Sequence, residues 1–223
     1  ALLCRRLGKI SSLRIICGML RTMIYVGVYI GWGISIYKRV IQKSVRNVLI
    51  FIAELIIFWF VVRTTKYFFT MDNQIARYLW YSYYIPMLFI PVAVLQAAFF
   101  LGKSEEYRLP KWLKGVYIPT AVLVLLVLSN DLHQLVFSFP VGSAWSDSHY
   151  TYGWGYYVVL VWEVVCALTA FVLMIYKCRH SQKKKYLPLF GIGAAVLYAV
   201  LFISGVAWVQ EIGGDITAVL CLF

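Results

Sequence analysis

Six stretches of roughly 20 apolar residues fill this chain, each closed by a charged or Gly/Pro-marked loop, and a seventh begins near its end. A helix needs about 20 such residues to cross a hydrocarbon core of about 30 Å. The expected fold is therefore an all-α integral membrane protein, a seven-transmembrane helix bundle with its last helix truncated. The spans are expected at about 13–37, 48–69, 79–101, 116–137, 153–176 and 186–210, with an incomplete seventh over 216–223. Residues 1–12 read as a basic leader, and 13–223 as one membrane domain.

Composition supports that solvent. The chain is 62% hydrophobic and 13% charged, where soluble domains run at about 45–50% and about 25%. No polar segment is long enough for a soluble domain. A net charge of +12 points to nucleic acid only in a soluble protein. Here the Lys and Arg lie in short loops between apolar spans, where they set orientation and meet anionic headgroups. The bilayer, not nucleic acid, is the expected partner. The cysteines (Cys4, Cys17, Cys166, Cys178, Cys221) are odd in number and without CxxC spacing, so neither a disulfide framework nor a metal site is expected. No small-residue cleavage site follows the first apolar run, so no cleavable signal peptide is read.

Loop charge gives an orientation. Lys38, Arg39, Lys43 and Arg46 follow span one; Lys103, Arg108, Lys111 and Lys114 follow span three; Lys177, Arg179, Lys183, Lys184 and Lys185 follow span five. The segment from Ser129 to Trp154 and the segment from Val209 to Asp215 hold no Lys or Arg. The positive-inside rule puts the three basic loops in the cytoplasm, the N-terminus outside and the C-terminus inside. Arg5, Arg6, Lys9, Arg14, Arg21, Arg63, Lys66 and Arg77 run against this bias.

Intramembrane polar groups are the first candidates for function. Glu54 and Glu163 lie well inside their spans, where a carboxylate costs a few kcal/mol unless paired, protonated or wet. Glu163 is expected to face the bundle interior, within pairing range of Arg63. Asp131, His133, Asp147 and His149 cluster in the long outer loop among aromatic residues and are candidates for ligand or signal sensing. Their spacing matches no compact metal motif. Pro86 and Pro91 remove backbone donors from span three, predicting bends and a candidate hinge. Gly27 and Gly31 in span one, and Ala195 and Ala199 in span six, permit close helix approach, with packing inside the bundle expected before dimerisation. No GxxxxGK[ST], GxSxG, HExxH or CxxC is present, and neither cofactor nor enzyme chemistry is expected in these residues.

Several motifs occur in a telling order: RYLWYSYYIPMLFIP (Arg77 to Pro91), LGKSEEYRLPKW (Leu101 to Trp112), NDLHQLVFSFP (Asn130 to Pro140), YGWGYY (Tyr152 to Tyr157), YKCR (Tyr176 to Arg179) and GGDIT (Gly213 to Thr217). Together they resemble the seven-transmembrane N-terminal region of bacterial sensor histidine kinases, from about Ile24 onward. The resemblance implies a signal-sensing input domain in the bacterial cytoplasmic membrane. It also implies a homodimer, and a last helix feeding a cytoplasmic ATP-binding kinase region of the same polypeptide. It names no stimulus and carries no ligand residue over. The alternative is a small multi-pass transporter or channel, against which stands the lack of a convincing internal repeat. A membrane enzyme using Glu54 or Glu163 ranks last, for want of a partner His, metal set or nucleophile.

Overall fold

Apolar side chains leave each backbone N–H only its own segment's carbonyls to bond, and the chain is helical through most of the computed structural model. The structure describes residues 2–66, 74–104, 106–139 and 150–178. In order the elements are α1 (Leu2–Arg39), α2 (Lys43–Lys66), α3 (Gln74–Tyr81), α4 (Tyr84–Phe100), α5 (Lys111–Gly115), α6 (Tyr117–Leu128), α7 (Asn130–His133), β1 (Phe137–Ser138), β2 (Thr151–Tyr152) and α8 (Trp154–Cys178). Among the described residues, four segments are long and apolar enough to cross a membrane: Lys43–Thr65, Gln74–Phe100, Lys111–Leu128 and Trp154–Cys178. The charge-free part of α1, from Thr22 to Tyr37, is shorter than any of these. Its helix continues back to Leu2, without a break where the leader meets the first span. The spans expected at 186–210 and 216–223, with Ala195 and Ala199, lie outside the described residues.

One expected span end is corrected, and the third span, long enough to cross as Gln74–Phe100, carries a turn at Ser82 and Tyr83 between α3 and α4. Pro86 cannot donate to the Ser82 carbonyl, which takes a tighter bond from Ile85 N instead (3.2 Å). The interruption therefore falls one turn ahead of Pro86, while α4 runs past Pro91 without leaving the helix. Tyr117-Ile118-Pro119 repeats the pattern of Tyr84-Ile85-Pro86. Pro119 withholds its donor from Gly115, where α5 ends, and Val116 N bonds Leu113 O. The fourth span stops at Leu128 rather than reaching 137, because Ser129 and Asn130 turn the chain into α7 and then β1.

Helix α4 is the spine. Its Ala93 and Phe100 join Tyr29 of α1 and Val48, Ile52, Ile56 and Phe60 of α2 in one core cluster. Its Leu88 joins Val124 and Val127 of α6 and Val159 of α8 in another. Leu95 and Ala98 meet Leu113 and Ala170 in a third. Small side chains at Ala93, Ala98 and Ala170 let the backbones approach, the main source of helix attraction where solvent is itself apolar. Polar contacts add register. Thr22 and Thr64 bond across α1 and α2, and Trp162 Nε1 donates to Thr120 Oγ1 (3.1 Å) between α8 and α6.

The ends differ in charge. Gln42 Nε2 donates to Ser104 O (3.1 Å), joining the α1–α2 loop to the α4–α5 connector. Lys177, near the end of α8, reaches Ala98 O, Phe99 O and Leu101 O at 2.9, 2.7 and 3.0 Å. The loop after α1, the connector and the end of α8 thus share one end of the bundle. The α3 start, α7, β1, β2 and the α8 start share the other.

Candidate functional site

At the end away from the basic loops, Asn130 organises the chain. Its Oδ1 accepts from Val136 N and Phe137 N, both at 3.0 Å. Its Nδ2 donates to Phe137 O (2.8 Å) and to Tyr81 Oη (3.2 Å). A neutral amide has two donor hydrogens and two acceptor positions, and here all four are used in a fully buried side chain. Tyr81 in turn donates to Asp131 Oδ1 (2.8 Å). The other carboxylate oxygen, Oδ2, pairs with Arg77 Nη2 at 2.7 Å, both side chains being largely shielded. The Nε of Arg77 is buried without a hydrogen-bond partner. Arg77 and Tyr81 stand four apart, on one face of α3 just ahead of the Ser82–Tyr83 turn. The latch therefore joins α3 to α7 beside the interruption of the spine.

His133 closes α7. Its Nδ1 accepts from Leu135 N (3.0 Å), and its Nε2 lies 3.1 Å from the Leu126 carbonyl. A carbonyl only accepts, so Nε2 is the donor in this contact. Both nitrogens are committed to the backbone, which fits a capping role rather than metal ligation. Gln134 follows in the left-handed region (φ 49°) and returns its N–H to Asn130 O (2.7 Å), the usual exit from a helix.

Residues 135–136 then lie directly on the start of α8. Gly153 N bonds Val136 O (2.9 Å) and Gly155 N bonds Leu135 O (3.0 Å). A Cβ on Gly153 would sit 2.1 Å from Leu135 O, and one on Gly155 3.1 Å from the same atom. Close backbone approach therefore requires the first glycine of the YGWGYY motif, Gly153, and leaves little room at the second, Gly155. Phe137, fully buried, pairs with Tyr152 across β1 and β2. Its ring is surrounded by Trp80 (4.6 Å), Tyr84 (5.5 Å), Tyr150 (5.5 Å), Tyr156 (5.9 Å), Tyr81 and Tyr152 (each 6.2 Å). Such ring pairs contribute about 0.5–1.5 kcal/mol each beyond their buried area.

The other candidates are not drawn into this site. Glu163 is half-buried on α8, with Tyr84 and Tyr156 within electrostatic reach. It forms no ion pair among the described residues, and α4 packs on both α2 and α8. Glu54 is exposed on α2. Asp147 and His149 lie outside the described residues. Among the described residues no group of three His, Cys, Asp or Glu side chains is placed to hold a metal. Gly27 and Gly31 are exposed on α1, with nothing within 4 Å of an added Cβ, so the expected packing inside the bundle is not made by the described helices. Residues that sequence reasoning passed over are Arg77, Tyr81, Asn130 and Lys177. All four lie in the motifs already quoted, with Arg77 and Lys177 otherwise read only as loop charge.

The family described as the N-terminal 7TM region of histidine kinase matches residues 16–223. The chain belongs to this family. No curated protein and no solved structure matches it. As the 7TM region of a sensor histidine kinase, it is a membrane protein of signal transduction, and the family's region is the one that lacks the catalytic domain. In this 7TM region the latch of Arg77, Tyr81, Asn130 and Asp131 is the most heavily cross-linked polar cluster among the described residues.

Proposed function

We propose that this 7TM region is the signal-sensing input domain of a bacterial histidine kinase, and that the stimulus acts on the Arg77–Asp131 latch. The reading places the basic loops in the cytoplasm, the latch on the outer side of the cytoplasmic membrane, and a kinase region of the same polypeptide beyond the last helix. It takes the working unit as a homodimer. One observation carries it: a half-buried ion pair with a spare donor, Arg77 Nε, sits beside the one turn that interrupts the span leading into the spine α4. A stimulus that competes for either partner changes the hold of α7 on α3. The Ser82–Tyr83 turn is where α3 can then move relative to α4. A ligand shifts output only as far as it binds two arrangements unequally, and such couplings are worth about 5- to 150-fold.

The test is autophosphorylation of the full-length protein in nanodiscs. Arg77→Gln and Asp131→Asn should each displace unstimulated kinase output by about 5-fold or more. The exchanged pair Arg77→Asp with Asp131→Arg should bring it back toward wild type. Output unchanged in both single variants, with the protein folded, overturns the assignment.

A further inference from the structure

At the opposite end, a pocket of about 320 Å³ opens between the first turns of α2, the last turn of α4 and the connector to α6. Its polar lining is Ser44, Asn47, Gln96, Tyr107, Arg108 and Lys114, with no carboxylate among the lining residues. Gln96 is held by Tyr117, whose hydroxyl donates to Oε1, so the amide keeps its two N–H donors for other partners. Neither Arg108 nor Lys114 forms an ion pair among the described residues. Lining the other side are Val48 and Phe100, both buried in the core cluster with Tyr29, together with Leu109. The pocket thus offers hydroxyl, amide, guanidinium and ammonium donors above an apolar floor.

Donors of this kind, in excess and without acids, match an anion with several acceptor oxygens. We infer that this pocket binds a phosphate-bearing anion, with the phosphate between Arg108, Lys114 and the Ser44–Asn47 turn of α2. An anionic phospholipid headgroup suits the apolar floor best, since its glycerol and first methylenes would meet Val48, Phe100 and Leu109. A soluble phosphate compound presents the same group to the same donors. Occupancy would tie the start of α2 to the α4–α5 connector, whatever acts at the far end.

Phosphatidylglycerol in phosphatidylcholine nanodiscs is the lipid probe, and glycerol 1-phosphate and inorganic phosphate are the soluble ones. Lipid carried through purification of the chain is counted by native mass spectrometry. Arg108→Gln with Lys114→Gln should lower retained phosphatidylglycerol by about 10- to 30-fold. Lys38→Gln with Arg39→Gln, exposed at the same end but outside the pocket, should leave it near wild type. Asn47→Leu, which narrows the pocket without removing charge, should also lose the lipid. Thermal unfolding shows whether each variant is folded. Binding of glycerol 1-phosphate or inorganic phosphate, without lipid retention, keeps the site and makes its ligand soluble. Equal loss in both charge pairs overturns the proposal, leaving only general surface charge. So does binding of none of the three probes to the wild type.

Discussion

At one end of this 7TM region, Asn130 fills all four hydrogen-bonding positions of its amide beneath a shell of aromatic rings. At the other, the single ammonium of Lys177 holds two terminal carbonyls of α4 and that of Leu101. Both ends face the same need, since helix termini and turns leave backbone groups without partners. The first is solved by a fully satisfied buried side chain and backbone-on-backbone packing. The second is solved by a long, partly exposed cation that can be removed without leaving a void in the core. A buried amide with every position used is expensive to disturb, whereas a capped carbonyl near the surface can turn to water. The two ends should therefore differ in how much stability a single substitution removes, and in how far its effects spread.

The largest effect is expected at Asn130. Replacing it by Ala leaves Val136 N, Phe137 N and Phe137 O buried without partners and removes the bond that the Tyr81 hydroxyl accepts. Each such group costs about 1–3 kcal/mol, so Asn130→Ala should remove about 4 kcal/mol. Equilibrium unfolding in mixed detergent–denaturant micelles measures this. A loss below that of any substitution at Lys177 would reverse the proposed contrast.

Gly153→Ala comes next. Its new methyl cannot coexist with Leu135 O, which is backbone rather than a flexible side chain. The 135–137 segment must lift from α8, at about 2–4 kcal/mol by the usual cost of overpacking and lost contacts. Tryptophan fluorescence should respond as well, because Trp80 packs on Phe137. Gly155→Ala, at 3.1 Å from the same oxygen and 3.2 Å from a Val136 methyl, should be milder. Equal effects at the two glycines would argue that α8 shifts as a body and that the close approach at Gly153 is not decisive.

The helical character of the described chain was readable from apolar run length alone, since a span has one low-energy backbone in lipid. Span ends were less so. The apolar run before Ser129 carries the expected span four on to Phe137, but Asn130 gains more by bonding three backbone groups than by continuing a helix. The prolines signalled an interruption, yet the break occurs where Pro86 withdraws its donor, at Ser82, and not at the proline itself. The latch was half legible. Asp131 and His133 stood out as ionisable residues in a long loop. Arg77 and Tyr81, the partners of Asp131, lie about 50 positions away, and only the return of α6 beside α3 brings them together. His133 has the chemistry of a sensing residue, and the fold uses it as a cap. Lys177 could not be distinguished from neighbouring loop lysines, because its role depends on where α4 ends.

Lys177→Met should have the smallest effect of the three, about 1–2 kcal/mol, the scale of a cation at a partly shielded helix C-terminus. The last four carbonyls of α4 are all occupied: Ala97 O by Leu101 N, Phe100 O by Lys103 N, and Ala98 O and Phe99 O by Lys177. Methionine keeps the apolar stem and removes the two bonds that only the ammonium supplies, together with its contact to Leu101 O. Hydrogen exchange then gives the sharper reading, because it resolves the two ends separately. Protection at Leu101 and Lys103 should fall by about 10-fold, as a destabilisation of about 1.4 kcal/mol confined to that turn requires. Val136 and Phe137, held by Asn130 at the far end of the bundle, should keep their protection, since distant sites without shared partners act independently. If protection falls equally at both ends, α4 transmits the loss along its whole length, and the ends work as one cooperative unit rather than two separately held ones.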